Sequence, residues 1–314
     1  MNYLITASSG FVGSRFLTLA KKHHHNFKFL TRNNKKNINQ FIYCDITKKI
    51  DPEIFDNIDI VIHIAGYAHE NYVNKTTDDI CIATNYSATI NLAKMAVQKN
   101  VKKFIYLSSI KAAGAINGFN INEDMHGPLK TQYSKSKRQA EIELLQLSDK
   151  ESINVVVIRS ALIYGPNLKG NLKTMYNAIE NRLMPKPPKT LSRRAMVHVD
   201  DVINCLMFVS THNQANNQIF NLTDNEIYDL EKIYNIIKGS INNHYSNIIY
   251  LPKFIYLLLA IVGSFFNTLF YFPYSIKNYN SMFEDSHFCS SKINNLGFYP
   301  TKSFQETLKL FRKN

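Results

Sequence analysis

The chain has 314 residues, of which 45% are hydrophobic and 19% charged, values that are ordinary for a folded soluble protein of one large domain or one and a half. Its formal net charge of +13 favours anionic partners such as nucleotide phosphates or an acidic membrane surface, and the basic residues are too dispersed to predict a nucleic-acid-binding protein. The four cysteines form no CxxC pair and no cluster with histidine, which argues against a metal site or a disulfide framework and favours a reducing, cytoplasmic compartment.

Short apolar runs alternate with longer segments of helical spacing in the first half of the chain. No signal peptide is expected, because the apolar run at residues 1–5 is too short. The predicted strands are NYLITA, FKFLT, FIYCDI, IDIVIHIAG, KKFIYLSS and NVVVIRSALIYG, and the predicted helices are GSRFLTLAKKH, ATNYSATINLAKMAVQKN and QYSKSKRQAEIELLQLS. This alternation predicts an α/β fold with a doubly wound parallel sheet, which binds its ligand beyond the carboxyl ends of the strands.

The segment ITASSGFVGS, residues 5–14, joins the first predicted strand to the first predicted helix. Gly10 and Gly13 occupy the second and third positions of a GxxGxxG spacing, and Ala7 occupies the first. Glycines at these positions permit a tight turn and let backbone amides approach a pyrophosphate. The strand before and the helix after favour a dinucleotide site, which also takes in Phe11 and Val12, over a plain connecting turn.

The end of the second predicted strand bears on the choice between NAD and NADP. A carboxylate there would accept hydrogen bonds from the adenosine ribose and select NAD. The sequence instead reads FLTRNNKK, with Thr31 and Arg32 at that place. Arg32 could meet a 2′-phosphate, so NADP is favoured over NAD; an ordinary exposed arginine is the alternative.

Tyr133 and Lys137, in YSKSK, lie four residues apart on one face of a predicted helix. A neighbouring ammonium stabilises a phenolate, which a general acid and base working near neutrality requires. Tyr228 with Lys232, and Tyr234 with Lys238, have the same spacing, so the pair alone means little. The first pair is distinguished by Ser109, 24 residues before Tyr133, which ends the predicted strand KKFIYLSS at the ligand edge of the sheet.

Residues 254–276, FIYLLLAIVGSFFNTLFYFPYSI, contain no charged residue, and lysines lie on both sides. The length is within the range of about 17–25 residues that can cross a bilayer, but Gly263, Ser264, Asn267 and Pro273 interrupt the run. We therefore expect a buried helix pair, with an interfacial helix at a membrane surface as the alternative.

Several segments follow the glycine turn in a fixed order, namely CDI, HIAG, TNYSAT, YLSS, YSKSK, IRSALIYGP and RRAMVHVDD. Together they resemble the extended short-chain dehydrogenase/reductases, the sugar-nucleotide epimerase/dehydratase family, over nearly the whole chain. The resemblance implies a Rossmann-type cofactor domain at residues 1–165, to which residues 195–222 return. It implies a smaller substrate-binding lobe at residues 166–194 and 223–314.

The resemblance also implies a role for each matching residue. The residues that would contact the cofactor are Ala7, Gly10, Phe11, Val12, Gly13, Asp45, Ile46, Ala65, Gly66 and Lys137. In the catalytic set, Ser109 would hold the sugar oxygen, Tyr133 would be the acid and base, and Asn85 would brace the site. Arg194 would meet the substrate diphosphate, with Lys111 and Asn171 as further substrate contacts.

Three reactions share this framework. Dehydratases need an extra acid and base directly after the serine, where this chain has Ile110 and Lys111, so elimination of water is not expected. The motifs SSIKAAG, HIAGYAHE and YGPNLKGN look most like a bacterial subgroup of UDP-sugar 4-epimerases and 4-keto reductases that form N-acetylquinovosamine nucleotides. With NADP favoured, we expect reduction of a UDP-2-acetamido-2,6-dideoxy-hexos-4-ulose for surface polysaccharide (O-antigen) synthesis, with 4-epimerisation of a UDP-sugar as the alternative.

The resemblance further implies a homodimer, paired through the helices that follow Thr84 and Gln132. A non-enzymatic, cofactor-sensing regulator is the alternative from another class, and the intact Ser109, Tyr133 and Lys137 argue against it. The stretch before LGFYP lacks the second arginine that the family often supplies to the diphosphate. Separately, the apolar run at residues 254–276 raises the hypothesis of a lipid-linked sugar diphosphate and of an enzyme at the inner face of the membrane.

Overall fold

Parallel strands form the centre of the molecule. The computed structural model describes residues 1–22, 24–32, 40–68, 75–187, 192–241, 253–266 and 285–311. The strands in chain order are β1 (Asn2–Ile5), β2 (Asn26–Thr31), β3 (Phe41–Tyr43), β4 (Ile60–His63), β5 (Lys103–Ser109), β6 (Gly118–Ile121), β7 (Asn154–Ser160), β8 (Leu162–Tyr164), β9 (Met196–His198), β10 (Gln218–Leu222) and β11 (Ser286–Phe288). Seven of them form the main sheet, and β6 with β11 and β8 with β9 form two small parallel pairs.

The order of strands in the main sheet is β3-β2-β1-β4-β5-β7-β10, and all its pairings are parallel. From β1 the chain moves outward to β2 and β3, then returns to the other side of β1 with β4. The winding therefore reverses between β1 and β4, and open α/β sheets bind ligands at such a point, beyond the carboxyl ends of the strands. The predicted doubly wound parallel sheet is confirmed.

Helices cover both faces of this sheet. Those in the described residues are α1 (Phe11–Ala20), α2 (Lys75–Cys81), α3 (Ala88–Gln98), α4 (Gln132–Lys150), α5 (Gly170–Glu180), α6 (Val199–Thr211), α7 (Leu230–Ser240), α8 (Lys253–Phe266), α9 (Ser291–Asn295) and α10 (Phe304–Phe311). Phe16 of α1 and Leu206 of α6 enter the core on one face, and Leu92 of α3 and Leu144 of α4 enter it on the other. Strands buried on both faces explain the continuous apolar runs of the sequence.

A third apolar cluster lies outside the sheet, where α5, α7 and α10 pack together around Leu172, Ile233 and Phe304. We call α5, α7, α8 and α10 the small lobe. Asp201 of α6 ties the lobe to the sheet, because its carboxylate accepts from the backbone N–H groups of Thr301 at 3.1 Å and Lys302 at 3.0 Å.

The predicted strand NVVVIRSALIYG is two strands in the structure. The N–H of Ala161 donates to the carbonyl of Leu222 at 2.9 Å, and beyond this residue the chain leaves the main sheet and pairs with β9. The prediction of one strand is wrong because an apolar run does not record which neighbouring strand each residue pairs with.

Helix α8 corrects the expectation of a buried helix pair. Tyr256 and Ala260 are buried, and the Tyr256 hydroxyl donates to the carbonyl of Pro185 at 2.6 Å. Phe254, Leu257, Leu258 and Ile261 of the same helix are exposed, so the described side chains of α8 are not all buried. The rest of the predicted pair, residues 267–276, lies outside the described residues. No helix in the described part of the chain is both long and apolar enough to cross a bilayer.

A buried ion pair joins α4 to β7. Arg159 and Glu141 are fully buried, and the guanidinium donates to both carboxylate oxygens at 2.8–3.2 Å. Ser108 also donates to the Glu141 carboxylate, at 2.6 Å, and the Arg159 Nη1 donates to the carbonyl of Glu123 at 3.1 Å. With these extra partners each charge is well compensated, so removal of one member should leave an uncompensated buried charge.

We expect Glu141→Leu to lower the free energy of unfolding by about 3–5 kcal/mol, because Arg159 would remain charged and buried. Chemical denaturation measures this loss. The matched control is the double variant Glu141→Leu/Arg159→Leu, which should lose less than the single variant because no orphaned guanidinium remains. A single variant that unfolds at the same denaturant concentration as the parent would contradict this account.

Candidate active site

The glycine turn lies at the switch point, between β1 and α1. Ala7 adopts a left-handed conformation with φ 57°, and its carbonyl accepts from the N–H of Gly10 at 3.0 Å. A Cβ added to Gly13 would come within 2.0 Å of the Ala7 carbonyl oxygen, so only glycine fits that position. Helix α1 has no side-chain N-cap and no acidic residue in its first turn, which leaves its terminal N–H groups suited to a phosphate.

Two other predicted cofactor residues near this turn differ in their surroundings. Val12 is buried in the core against the sheet, and Phe11 is half-buried at the start of α1. The Lys169 ammonium lies 5.8 Å from the centre of the Phe11 ring. Val12 therefore fixes the helix to the sheet, and Phe11 lies nearer the surface of the crevice.

The ends of β2 and β3 bring the predicted adenosine-side residues together. The Asp45 carboxylate accepts from the Thr47 hydroxyl at 2.7 Å and from the Thr47 N–H at 3.1 Å. These hydrogen bonds, and then the positive charge of Arg32, hold the pKa of Asp45 below its usual value. Ile46 beside it is buried. Arg32 therefore lies on the same side of the sheet as the predicted adenine contacts.

Helix α4 carries the predicted catalytic pair. Thr131 caps its N-terminus, with a reciprocal bond from Ser134, which fixes where the helix begins. The Lys137 ammonium is buried, donates to the carbonyl of Leu107 at 3.0 Å and lies 4.6 Å from the centre of the Tyr106 ring. Burial lowers the pKa of Lys137 to about 8. Tyr133, one turn earlier, is half-buried.

Ser109 stands at the carboxyl end of β5, two residues after the carbonyl that binds Lys137. Its hydroxyl accepts from the N–H of Lys111 at 3.3 Å, and the Lys111 side chain is exposed. The competing pairs, Tyr228 with Lys232 and Tyr234 with Lys238, belong to the small lobe, and the Tyr228 hydroxyl is engaged by Asp224 at 2.7 Å. Of the three pairs, only that of α4 lies against the carboxyl end of the main sheet.

Asn85 links α4 to the loop after β4. Its side-chain oxygen accepts from the N–H of Tyr67 at 2.7 Å, and its side-chain nitrogen donates to the Tyr67 carbonyl at 3.0 Å and to the Ser136 hydroxyl at 3.2 Å. A Cβ added to Gly66 would lie 3.1 Å from the Lys137 nitrogen and 3.3 Å from the Asn85 oxygen. Asn85, Gly66 and Lys137 therefore form one packed unit, with the buried Ala65 adjoining it.

A buried chain of polar groups that the sequence analysis did not use holds Asn85 in place. The Thr6 hydroxyl accepts from the N–H groups of Ile64 and Ala65, both at 2.9 Å, so its own proton is directed to His63 Nδ1 at 3.0 Å. Neutral His63 must then carry its proton on Nε2, which donates to Thr89 at 2.9 Å. The Thr89 hydroxyl donates to the Asn85 carbonyl at 2.9 Å.

Burial and the neighbouring Lys137 ammonium lower the pKa of His63 to about 3, so the imidazole stays neutral. Its ring is fully buried and stacks on Tyr106 with 5.6 Å between ring centres. The available sequence signal for this chain of hydrogen bonds was His63, a polar residue in the middle of the apolar run IVIHIAG. The hydrogen bonds lock β1, β4 and α3 together under the site.

The predicted substrate residues are less closely grouped. The backbone of Arg194 pairs with Tyr228, with N–H to carbonyl distances of 2.8 and 3.2 Å, and also bridges to Ser286. Its neighbour Arg193 is ion-paired with Asp285 at 2.6 Å. Asn171 is exposed in the first turn of α5. In the described part of the chain, no group of three or more His, Cys, Asp or Glu side chains is arranged to hold a metal ion.

Residues 3–223 match the model of the NAD dependent epimerase/dehydratase family. The chain belongs to this family. A UDP-glucose 4-epimerase from Vibrio cholerae is 32% identical over 231 residues, which are 70% of this chain and 70% of that protein. The N-acetyl-alpha-D-glucosaminyl-diphospho-ditrans,octacis-undecaprenol 4-epimerase of Escherichia coli O157:H7 is 24% identical, over 77% of this chain and 72% of that protein.

The fold is also that of solved epimerase structures. The UDP-glucuronic acid 4-epimerase from Bacillus cereus, in complex with UDP-glucuronic acid and NAD, superimposes with a TM-score of 0.77 at 17% identity. The match covers 100% of this chain and 98% of that one. Family membership and architecture thus agree with the resemblance that the motifs carry.

The same substitution should have opposite effects at two glycines. Gly13→Ala places a methyl group against the Ala7 carbonyl and should lower the free energy of unfolding by about 1–3 kcal/mol. Gly239→Ala is the matched control, because a Cβ there meets nothing within 4 Å and the position is helical, so stability should rise by about 0.5–1 kcal/mol. Thermal and chemical denaturation measure both, and equal shifts would contradict the close packing at Gly13.

Lys137→Met should raise stability while it abolishes activity. The pKa of about 8 in the folded chain lies below that of an unfolded lysine, so near neutral pH the buried charge destabilises the fold. At pH 7 we expect the variant to be more stable by about 1–3 kcal/mol. The difference should shrink as the pH rises from about 8 towards 10.5, where lysine is neutral in both states.

Denaturation of the parent and the Lys137→Met variant at pH 7 and pH 10 measures this difference directly. Comparing the two proteins at each pH cancels the titration of all other groups. A variant that is less stable than its parent at pH 7 would show that the Leu107 and Tyr106 contacts outweigh the cost of burial.

Proposed function

We propose that this chain is an NAD(P)-dependent oxidoreductase that acts at C4 of a nucleotide-activated sugar, and that it reduces a UDP-2-acetamido-2,6-dideoxy-hexos-4-ulose. The observation that carries the proposal is the buried Lys137 ammonium one turn after Tyr133, beside the end of the strand that bears Ser109. This arrangement stands at the carboxyl edge of the sheet, two strands away from β1, which leads into the glycine turn.

The residues that would hold the cofactor lie around the switch point of the sheet, between β1 and β4. The N-terminus of α1 and the turn at Ala7, Gly10 and Gly13 suit the pyrophosphate. The backbone of this turn packs closely on itself, and its glycines have no side chains that would fill the space for the phosphates. Asp45 and Ile46 would contact adenine, and Ala65, Gly66 and Lys137 the nicotinamide ribose. The bound nicotinamide supplies a hydride for C4 of the sugar.

Residues of α4 and β5 would carry out the proton transfer. Tyr133 would donate its phenolic proton to the oxygen on C4 as the carbonyl becomes a hydroxyl, and Ser109 would hold that oxygen by a hydrogen bond. The Lys137 charge lowers the energy of the phenolate that remains on Tyr133. Asn85, fixed by Tyr67 and Ser136, keeps Lys137 and the loop after β4 in register.

One feature of the chain favours reduction, and a second argues against dehydration. Residues 31–40 contain no Asp or Glu, and Arg32 acts on Asp45, so a 2′-phosphate would meet positive charge there. NADPH would be consumed from solution, as a reductase requires. Ile110 and Lys111 follow Ser109, and an isoleucine side chain cannot move the proton that a dehydratase must remove.

Residues 166–194 and 223–314 would form the substrate-binding lobe, against a cofactor domain of residues 1–165 and 195–222. Arg194 would bind the sugar diphosphate, with Lys111 and Asn171 as further contacts. A homodimer through α3 and α4 is consistent with the exposed Ile142 on α4. The free cysteines fit the cytoplasm, and surface polysaccharide synthesis is the process that would use the product.

A 4-epimerase is the second candidate, and the names of the relatives favour it. The Vibrio cholerae relative is a UDP-glucose 4-epimerase and the Escherichia coli relative acts as a 4-epimerase of an undecaprenyl-linked sugar. An epimerase oxidises C4 and returns the hydride to the opposite face, so it consumes no cofactor. The same Tyr133, Lys137 and Ser109 would serve either reaction.

The test mixes purified protein with the 4-keto UDP-sugar and follows the absorbance of added NADPH, then NADH. We expect loss of NADPH in proportion to the sugar, and Tyr133→Phe should reduce the rate by at least about a hundredfold, since it removes the acid. Cofactor binding by Tyr133→Phe should be unchanged, which separates a lost proton donor from a misfolded site.

Two other outcomes would overturn parts of this proposal. Conversion of UDP-N-acetylglucosamine to its C4 epimer without added cofactor, together with no NADPH consumption, would overturn the reductase and establish the 4-epimerase. Faster turnover with NADH than with NADPH would overturn the role proposed for Arg32.

A further inference from the structure

We infer that Asp224 is a positioning residue for Arg194, the arginine proposed to bind the substrate diphosphate. The Asp224 carboxylate joins two stretches of chain that both pair with residues 194–198, and it thereby fixes where those residues lie. The inference rests on the proposed role of Arg194 and deepens it. It holds for a reductase and for a 4-epimerase alike, because both would bind the same diphosphate.

Residues 194–198, which include β9, pair with two stretches of chain. Strand β9 lies parallel to β8, with His198 opposite Tyr164. The backbones of Arg194 and Tyr228 exchange two hydrogen bonds, at 2.8 and 3.2 Å, and the N–H of Asp224 donates to the Met196 carbonyl at 2.7 Å. The backbone around Arg194 is therefore placed by β8 and by residues 224–228 together.

The Asp224 carboxylate connects these two stretches. Its Oδ2 accepts from the Tyr228 hydroxyl at 2.7 Å and from the Tyr164 hydroxyl at 2.8 Å, and its Oδ1 accepts from the N–H of Glu226 at 3.1 Å. The Tyr164 hydroxyl also lies 3.0 Å from the Lys302 carbonyl, but it has a single proton, and a charged acceptor makes the stronger hydrogen bond. The carboxylate is thus a bridge between β8 and residues 224–228.

This bridge is buried among apolar groups. Tyr164 and Tyr228 are fully buried in the cluster of the small lobe, where the Phe304 ring packs edge-on against both, and Asp224 is 8% exposed. Burial raises the pKa of Asp224 to about 6, so the group is ionised at pH 7 and only accepts hydrogen bonds. An apolar side chain would fill this place at a lower cost in free energy, so the carboxylate is better explained by the positions that it fixes.

The backbone pairing of Arg194 is too short to fix its register alone. Successive residues of an extended segment point to opposite faces, so a shift by one residue would turn the Arg194 side chain away. The bridges from Arg194 to Tyr228 and to Ser286 are single pairs. Tyr228, however, is held at both ends, by its backbone to Arg194 and by its hydroxyl to Asp224. Loss of the carboxylate should therefore loosen the position of the arginine.

UDP, which carries the diphosphate without the sugar, is the probe, and isothermal titration calorimetry of the full chain measures its affinity. Asp224→Asn and Tyr228→Phe should each weaken UDP binding at least about tenfold, because the hydrogen bonds of a guanidinium to phosphate oxygens are directional. Tyr228→Phe keeps the ring and its packing, so it carries the test if Asp224→Asn fails to fold.

Tyr3→Phe is the matched control. Tyr3 is also fully buried, and its hydroxyl lies 3.0 Å from that of Ser210, near the C-terminal end of α6. The control removes one buried hydroxyl, as Tyr228→Phe does, but at a place that does not touch residues 194–198. UDP affinity should be unchanged in Tyr3→Phe, so a general loss of stability does not account for the expected difference.

A double-mutant cycle separates positioning of Arg194 from damage elsewhere. Arg194→Ala should weaken UDP binding by at least as much as Asp224→Asn, and adding Asp224→Asn to Arg194→Ala should cause no further loss. In turnover of the sugar nucleotide, Asp224→Asn and Tyr228→Phe should raise KM and leave kcat within about twofold, because the reacting groups on α4 and β5 are unaltered.

Unchanged UDP affinity in Asp224→Asn and Tyr228→Phe would overturn the inference. Losses that add to that of Arg194→Ala, or a fall in kcat at constant KM, would also overturn it, because Asp224 would then act on another part of the site. UDP affinity that Arg194→Ala leaves unchanged overturns it even if the parent consumes NADPH. If the variants weaken UDP binding as expected and the parent consumes no NADPH, the inference stands and the proposed reduction fails.

Discussion

The burial of one ammonium group, that of Lys137, constrains the structure around it. A charge taken out of water must be compensated by nearby dipoles and charges, or it is lost. Here the Lys137 ammonium donates a hydrogen bond to the Leu107 carbonyl and lies over the Tyr106 ring. The carboxylate of Glu141, one turn later, raises the pKa of Lys137, although burial lowers that pKa by more. Glu141 is in turn held by Arg159, so the ion pair beneath the helix supports the charge in the site.

A second buried titratable group, His63, is kept neutral beside this cation. One charged group and one neutral group cost less in a low-dielectric interior than two like charges would. The neutral imidazole still makes two hydrogen bonds, and their directions are fixed by the two N–H groups that occupy the Thr6 oxygen. Strand β1 and helix α3 are therefore joined through His63 in one orientation, and Asn85 is positioned as a result.

Sequence reasoning predicts features that depend on local pattern. The parallel sheet follows from the apolar runs, and the placement of Tyr133 and Lys137 at the carboxyl edge of the sheet follows from helical spacing combined with a strand-end serine. Features that depend on partners distant in the chain were not predicted. Thr6, His63 and Thr89 appear in the sequence as isolated polar residues in apolar surroundings, and nothing local shows that the three meet.

The same limit explains the errors at β7–β8 and at α8. Composition marks residues 254–261 as apolar without showing which face of the helix meets the protein. The face of α8 that is buried is the one that contacts the loop containing Pro185, which is distant in sequence. Likewise, the split of NVVVIRSALIYG depends on β9, more than 30 residues later in the chain. The roles of individual site residues toward cofactor and sugar remain proposals, because they depend on ligands rather than on the fold.

Pro185 and Arg194 both lie in the stretch of chain between α5 and β9. Pro185 in that loop receives the Tyr256 hydroxyl of α8, and Arg194 further along it is fixed through its backbone to Tyr228. Two contacts therefore fix this stretch of the chain, one to α8 and one to Tyr228, two residues before α7. The second contact holds the backbone of the arginine proposed for the substrate diphosphate, so the position of that arginine depends on the packing of the small lobe against the sheet.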